Sequence, residues 1–438
     1  MLSTIKLIFS AGIVIALIMI TLELLISRSR KKRVYTLADT LTNLSSGMIE
    51  RSFDVFIAIG FFFIVNYIYQ EIAPWKIPSN PLTWFGALLV TDFLAYWHHR
   101  LSHEINFLWA AHVTHHSSEE LNVTTVFRVS FIAVLNRAAF FIWMPFMGFD
   151  PLTIVTTGMF LGIYQFFTHF RFINKVGIFE IFMSTPSHHR VHHSRNEKYL
   201  DKNYAHIFIF WDKLFGTFMP EEEEPDFGIT SGFESSNAFN ATFDYWVNMF
   251  TRASRTKGLK NKVSVFLKGP DFTPADSPHL PSVYKSDKKG QRIQYRNLFS
   301  IEKSAYVLIS VLTSFGLFFW LTRIIVQKPG GGGAVSVEEA RLFLENAYQF
   351  IFQPHILLLV GLILFSILAQ GIFMDGKKGS GLIEAFRLVA MAAILPFIFS
   401  HIGYPAYLTN VVIAVSVVML AWMLKIKKAE NNLATVSN

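Results

Sequence analysis

Nine apolar runs, at about 5–26, 53–70, 81–97, 127–147, 151–169, 304–326, 351–374, 383–401 and 405–424, each approach or exceed the roughly 17 helical residues that cross the hydrocarbon core of a bilayer. Hydrocarbon offers a peptide group no hydrogen-bond partner, so these runs must satisfy their backbones internally, as helices. With 52% hydrophobic residues and 45 Phe, the chain is too apolar for an ordinary soluble protein. The expected fold is all-α, a polytopic integral membrane bundle of about nine spans. The first run, Ile5 to Ile26, lacks a small-residue cleavage site and is read as an anchor.

Arg28, Arg30, Lys31, Lys32 and Arg33 follow that run, which places their loop in the cytoplasm and the N-terminus outside. Alternation then puts residues 170–303, Lys377-Lys378 and the tail residues Lys425, Lys427 and Lys428 inside, and leaves only Lys76, Lys328 and Arg341 outside. The net charge of +8 comes without a nucleic-acid motif, so it is assigned to the membrane surface and no nucleic-acid partner is expected. The absence of cysteine excludes disulfides, thiolate sites and iron–sulfur clusters. Any metal must be held by nitrogen and oxygen.

Between Asp92 and His193 lie eleven of the fifteen histidines, in three clusters at the cytoplasmic ends of the runs. They read His98-His99-x-x-x-His103, His112-x-x-His115-His116 and His188-His189-x-x-His192-His193, with His169 between the last two. On a helix, spacings of i, i+3 and i+4 stack side chains on one face about 5–6 Å apart. His99, His103, His112, His115, His116, His189, His192 and His193 lie on such faces, more imidazoles than the roughly four of a closed zinc site, so a pair of metal ions fits better than one. His169 is the ninth candidate. His98 and His188 fall about 100° off their faces and are placed outside the ligand set.

The chain divides into N-terminal anchor spans (1–80), a catalytic domain (81–225), a polar interfacial segment (226–303), a C-terminal transmembrane scaffold (304–426) and a cytoplasmic tail (427–438). Arg128 and Arg137 are expensive on a lipid-facing helix, so 127–147 and the run bearing His169 are alternatively a re-entrant pair packed under the metal site. Glu221 to Glu224 are read as a solvated loop. The basic residues from Lys257 to Lys268, with Trp246, Phe250 and Phe266, suit either an anionic leaflet or a plain surface loop. Pro329 and the glycines after it make a linker, followed by a short amphipathic helix near Val337 to Tyr348. In the C-terminal runs His355, Arg387 and His401 stand isolated, as befits scaffold.

Ligating imidazoles usually donate their other nitrogen to a carboxylate or carbonyl. Asp92 is the foremost candidate for that role, seven residues before His99 in an apolar run, followed by Glu104, Glu119, Glu120 and Asp201. Glu104, Asn122 and Tyr204 are the candidate catalytic residues. Asn122 and Tyr204, with Arg128 and Asn203, are also placed on the head-group side of a lipid.

The strings Asp92-x4-Trp97-His98-His99-Arg100-x-x-His103, Leu108-Trp109-x-x-His112-x-x-His115-His116-Ser117 and Thr185-Pro186-Ser187-His188-His189-Arg190-Val191-His192-His193 resemble the three boxes of the fatty acid hydroxylase / sterol desaturase superfamily of membrane di-iron enzymes. Within it the chain is most similar to the alkylglycerol monooxygenases, through His103-Glu104-Ile105-Asn106, Asp201-Lys202-Asn203-Tyr204 and Trp211-Asp212-Lys213-Leu214-Phe215-Gly216-Thr217-Phe218, over roughly residues 35 to 300. The resemblance implies two non-haem irons, tetrahydrobiopterin as reductant, and oxygen-dependent hydroxylation of the ether-linked carbon of alkylglycerols, giving a fatty aldehyde and glycerol.

The first alternative is a sterol, fatty-acid or carotenoid hydroxylase or desaturase fed by a separate electron-donor protein. The second is a metal-ion transporter with a His-rich loop, disfavoured because the clusters fall at span ends and not at midplane. With no cysteine and no retention signal at Ser437-Asn438, a bacterial cytoplasmic membrane is favoured, and the endoplasmic reticulum for a eukaryotic chain.

Overall fold

The computed structural model describes residues 2–274, 295, 299–326, 346 and 348–436. Among these every regular element is helical, and extended pairing is limited to an antiparallel bridge between Ser194 and Phe227. They form two compact units: residues 3–234 with 241–295, and residues 235–240 with 296–438. The glycine linker and all but the end of the short helix expected at Val337 to Tyr348 lie outside the described residues.

The first unit is built on α1 (Leu2–Ser29), α2 (Leu37–Tyr67), α3 (Pro81–Glu104), α4 (Asn106–His116), α5 (Phe131–Phe141), α6 (Trp143–Phe146), α7 (Pro151–Thr168), α8 (Pro186–His192), α9 (Phe210–Phe215) and α11 (Leu259–Leu267), together with α10 (Ala238–Arg255) from Ala241 onward. Start signals are explicit. Asn80 accepts hydrogen bonds from the backbones of Leu82 and Thr83 while Thr83 bonds back to Asn80, with Pro81 in the first turn, so α3 begins there. Asp150 likewise accepts from the backbones of Leu152 and Thr153, with Pro151 in the first turn, to start α7.

Small residues let these helices approach closely. Ala87 of α3 packs with Val65, Met144 and Ile154, and Thr91 is hydrogen-bonded to Thr157 of α7 at 2.8 Å. Ala110 and Ala111 of α4 sit against Trp246, Met249 and Ala253 of α10 and Val265 of α11. Trp246 is therefore core, while Val247 and Phe250 on the same helix are exposed. Asn106 joins α4 to α11, its side-chain amide donating to the Val265 carbonyl at 2.7 Å.

Two carboxylates fix the loop that returns beneath α3. Asp92 accepts from the backbone N–H of Ile207 and Phe208 and from the Trp211 indole at 2.9–3.0 Å. Asp212 accepts from Tyr204 and Ala205 backbones and from the Thr217 hydroxyl at 2.7–2.9 Å. The expectation that Asp92 orients an imidazole is thereby corrected: three N–H donors occupy its oxygens, and it holds a loop.

The count of nine spans is not confirmed among the described residues. Five described helices are long and apolar enough to cross a membrane: Ala11–Ser29, Ile301–Ile325, Pro354–Met374, Ser380–Ile402 and Tyr407–Asn432. The runs at 53–70, 81–97, 127–147 and 151–169 belong to the histidine-bearing unit, and 127–147 breaks into α5 and α6. Hydropathy cannot tell a side chain facing lipid from one packed on another helix. Arg128 shows the difference: it is 2% exposed and bonds the Thr114 carbonyl, Ser117 and Asn43 at 2.9–3.1 Å, with Asp39 at 3.3 Å.

The second unit is carried by α12 (Ile301–Val326), α13 (Pro354–Met374), α14 (Ser380–Ile402) and α15 (Tyr407–Val436), with α13 and α15 both packed on α14 and both on α12. Here Arg387 is not isolated. Glu384, one turn earlier, pairs with it in bidentate fashion at 2.7 and 2.9 Å, Tyr306 donates to the same carboxylate, and Ser310 accepts from the guanidinium at 2.9 Å. Breaking one side of such a pair strands a buried charge. Glu384→Leu or Arg387→Met alone is expected to cost about 3–5 kcal/mol, and the double substitution far less; thermal unfolding midpoints in detergent would show it, and equal losses for single and double variants would exclude a charge effect.

Candidate metal centre

α3 presents His99 and His103, α4 presents His112, His115 and His116, the C-terminal end of α7 presents His169, and α8 with its cap presents His189, His192 and His193. These nine rings fall into two groups, His99, His103, His112, His116 and His192 in one, and His115, His169, His189 and His193 in the other. Within each group every residue offers a ligand atom within 4.8 Å of the others. The groups adjoin, with the His116 and His193 rings stacked at 4.5 Å.

The clusters do not map one to one onto the groups. Residues one apart on a helix diverge by about 100°, so α4 sends His112 and His116 to one side and His115 to the other, and α8 sends His192 one way and His189 and His193 the other.

The nitrogens that meet are Nε2. His112 Nε2 lies 3.0 Å from that of His99 and 3.1 Å from that of His116. His189 Nε2 lies 3.1 Å from that of His169 and 3.0 Å from that of His193, and His115 is 3.3 Å from His169. His103 Nε2 and His192 Nε2 are shielded from solvent without a partner. Lone pairs aimed at one another this closely repel unless a cation sits among them, so the arrangement fits metal ions. Burial, and then the neighbouring imidazoles, hold His112, His116, His189, His192 and His193 far below the ordinary imidazole range, and His115 at about 4. That favours the neutral form of these six rings, the state that binds metal.

The opposite nitrogens explain the orientation. His99 Nδ1 donates to the Tyr204 carbonyl at 2.7 Å, His169 to Gln165 at 2.9 Å, His192 to Lys202 at 3.0 Å and His115 to Arg128 at 3.3 Å. Among the described residues only His103 uses a carboxylate, Asp201 at 3.3 Å. A ring that gives its proton to a carbonyl at Nδ1 turns an Nε2 lone pair inward.

Three of these acceptors come from the Asp201–Tyr204 segment. Asp201 and Asn203 have left-handed backbones, φ 57° and 56°. Asn203 tolerates this conformation and fastens it, donating to the carbonyls of His188 at 3.1 Å and Met219 at 2.7 Å and accepting from the Met219 N–H at 2.8 Å. The carbonyls on either side of it, Lys202 and Tyr204, thus reach His192 and His99.

Of the candidate catalytic residues, Tyr204 is buried with its ring 5.2–5.9 Å from those of His99, His103 and His192. Glu104 faces outward and pairs with Arg100 at 2.8 Å. Asn122 caps the turn Val123–Phe127 and donates to the Val34 carbonyl at 2.8 Å. Glu119 accepts from the Tyr295 backbone at 2.7 Å. His98 and His188 lie outside both groups, against Phe140 and Phe218. Sequence reasoning missed His206, whose ring lies 5.1 Å from that of His99; a lone histidine in a loop carries no spacing signal.

Two adjoining imidazole groups in a helical membrane chain, over residues 84–217 of which a family model described as Fatty acid hydroxylase matches, define a multi-pass membrane oxidoreductase of the non-haem iron hydroxylase class. The chain is 32% identical to Alkylglycerol monooxygenase of Xenopus tropicalis over 416 residues, 94% of this chain and 87% of that protein. It is 38% identical to Alkylglycerol monooxygenase of Homo sapiens over 256 residues, 58% of this chain and 57% of that one. Ornithine lipid hydroxylase OlsE of Rhizobium tropici shares 34% identity over 151 residues, 33% of this chain and 44% of that protein. No solved structure matches. The chain belongs to the alkylglycerol monooxygenase family.

Proposed function

We propose that the protein hydroxylates the ether-linked carbon of alkylglycerols, with two irons held by His99, His103, His112, His116 and His192 on one side and His115, His169, His189 and His193 on the other. The observation that carries the reading is the pairing of two adjoining imidazole groups with likeness to alkylglycerol monooxygenase over nearly the whole chain. Bound iron supplies the oxygen-activating redox chemistry that an unactivated C–H bond demands and acid–base side chains cannot provide.

The chain's own residues do the rest. The carbonyls of Tyr204, Lys202, Gln165 and Arg128 hold the donor atoms inward. The Tyr204 ring packs on His99, His103 and His192, and Ala95, one turn before His99, packs into an apolar cluster with Phe141, Leu161 and Ile207. One oxygen atom of O2 enters the C–H bond and the other leaves as water, with two electrons and two protons from a reduced pterin, tetrahydrobiopterin in this reading. The hemiacetal then breaks to a fatty aldehyde and glycerol. The basic cluster after α1 supports a cytoplasmic site, in a bacterial cytoplasmic membrane or, in a eukaryotic chain, the endoplasmic reticulum.

Metal analysis of the purified protein, paired with oxygen uptake on a 1-alkylglycerol with and without pterin, tests this. Iron together with pterin-dependent uptake is expected. Iron with uptake only on another lipid, or only with a protein donor, would keep the hydroxylase and remove the substrate or pterin assignment; no iron would remove all of it.

A further inference from the structure

Two histidines beside the metal centre belong to neither imidazole group and have unmet hydrogen-bonding capacity. His98 is 8% exposed, and its Nε2 is shielded from solvent with no hydrogen-bond partner. His206 is half-buried, with its ring 5.1 Å from that of His99 and its Nδ1 equally shielded and unpartnered. The two segments meet on one apolar cluster: Ala95, a turn before His98, and Ile207, next to His206, pack with Phe141 and Leu161, and Phe140 of the same cluster lies edge-on to His98 at 5.3 Å. The Arg137 guanidinium acts on both rings, which places them in one neighbourhood.

A shielded ring nitrogen without a partner forfeits the hydrogen bond it had to water. One such atom is unremarkable, but two beside the same apolar cluster, each next to His99 in sequence or in space, indicate a partner that arrives with the substrate. Its chemistry follows from the surroundings. The cluster beside them is aromatic and aliphatic, which suits a hydrocarbon chain, with the Arg137 guanidinium as the charged neighbour; the two nitrogens need oxygen; and their closeness to the imidazole groups puts that oxygen within a few bonds of the carbon that reacts. We propose that His98 and His206 form the polar end of the substrate pocket, hydrogen-bonding the oxygen atoms next to the reacting carbon of a glycerol ether lipid. This rests on the substrate reading above. The pair selects a lipid whose reacting carbon adjoins oxygen over a plain alkyl chain, and it sets which carbon faces the metal centre.

Binding under anaerobic conditions, where no turnover occurs, isolates the effect. The purified full-length, iron-loaded protein in detergent is titrated with 1-O-dodecylglycerol and, separately, with dodecane. His98→Leu and His206→Leu are each expected to weaken dodecylglycerol binding about tenfold, one hydrogen bond's worth, with dodecane binding and iron content unchanged. His206→Asn and His98→Gln, whose amides reach near Nδ1 and Nε2 respectively, should restore most of the affinity. Equal weakening of both ligands would reduce the pair to packing. Loss of iron in the His206 variants would instead put that ring among the metal ligands, and an unchanged affinity would mean that the two nitrogens are served by water; each overturns the proposal. A wild-type protein that binds and oxidises a fatty acid or an ornithine lipid, but no glycerol ether, overturns the substrate reading alone, and the same variants then judge the histidine pair with that lipid.

Discussion

Replacing His169 by alanine is expected to release about half of the bound iron and to abolish oxygen-dependent turnover, while the protein stays folded. His169 Nε2 lies 3.1 and 3.3 Å from those of His189 and His115, and its group has four imidazoles where the other has five. Closing a site takes about four donors, so the smaller group has none to spare. His188→Ala is the control. That ring packs on Phe218 outside both groups, and its removal should leave the iron content at the wild-type value. Metal analysis by mass spectrometry reads both variants. Full iron in His169→Ala, or a matching loss in His188→Ala, would refute the partition into two groups.

The second large effect is expected at a residue that would touch no metal. Asn203→Ala removes three side-chain hydrogen bonds and puts a Cβ-bearing residue without a polar side chain at φ 56°. Asn203→Gly removes the same bonds but accepts the backbone, so alanine should be worse than glycine by about 1 kcal/mol. Both variants loosen the carbonyls of Lys202 and Tyr204, which aim His192 and His99. Iron affinity should fall about 10–100-fold, the usual penalty for losing a group that orients a ligand. Chelator competition measures the affinity and thermal midpoints measure the stability. Wild-type iron retention in Asn203→Ala would show that the rings are aimed by their own helices.

Spacing made the histidines visible. Residues at i, i+3 and i+4 share a helical face whatever the rest of the fold does, so a face of imidazoles could be read from α3, α4 and α8 one at a time. How the faces would be shared out could not, because that depends on the angles at which three helices meet. His115 and His116, adjacent in sequence, serve different groups. Most of the orienting partners were hidden for a different reason. A backbone carbonyl is the same at every residue, so nothing in the letters Lys202, Tyr204, Gln165 or Arg128 announces the role. Of the carboxylates near the clusters, Asp201 does meet an imidazole, whereas Asp92 spends its oxygens on a loop, a difference that sequence proximity does not carry. Arg387 was read as isolated although Glu384 stood one helical turn away, a pair that burial turns into the centre of a polar network.

By itself the sequence determined that the chain is helical and membrane-bound, that any metal must be held by nitrogen and oxygen, and which rings share a helical face, since apolar run length and residue spacing are local properties. The tertiary structure decided which helices pack into the histidine-bearing unit, how nine imidazoles divide into two groups, and which carbonyls aim them. Those outcomes depend on contacts between segments 105 residues apart, as for His99 with Tyr204, and the backbone groups that make them are chemically identical along the whole chain.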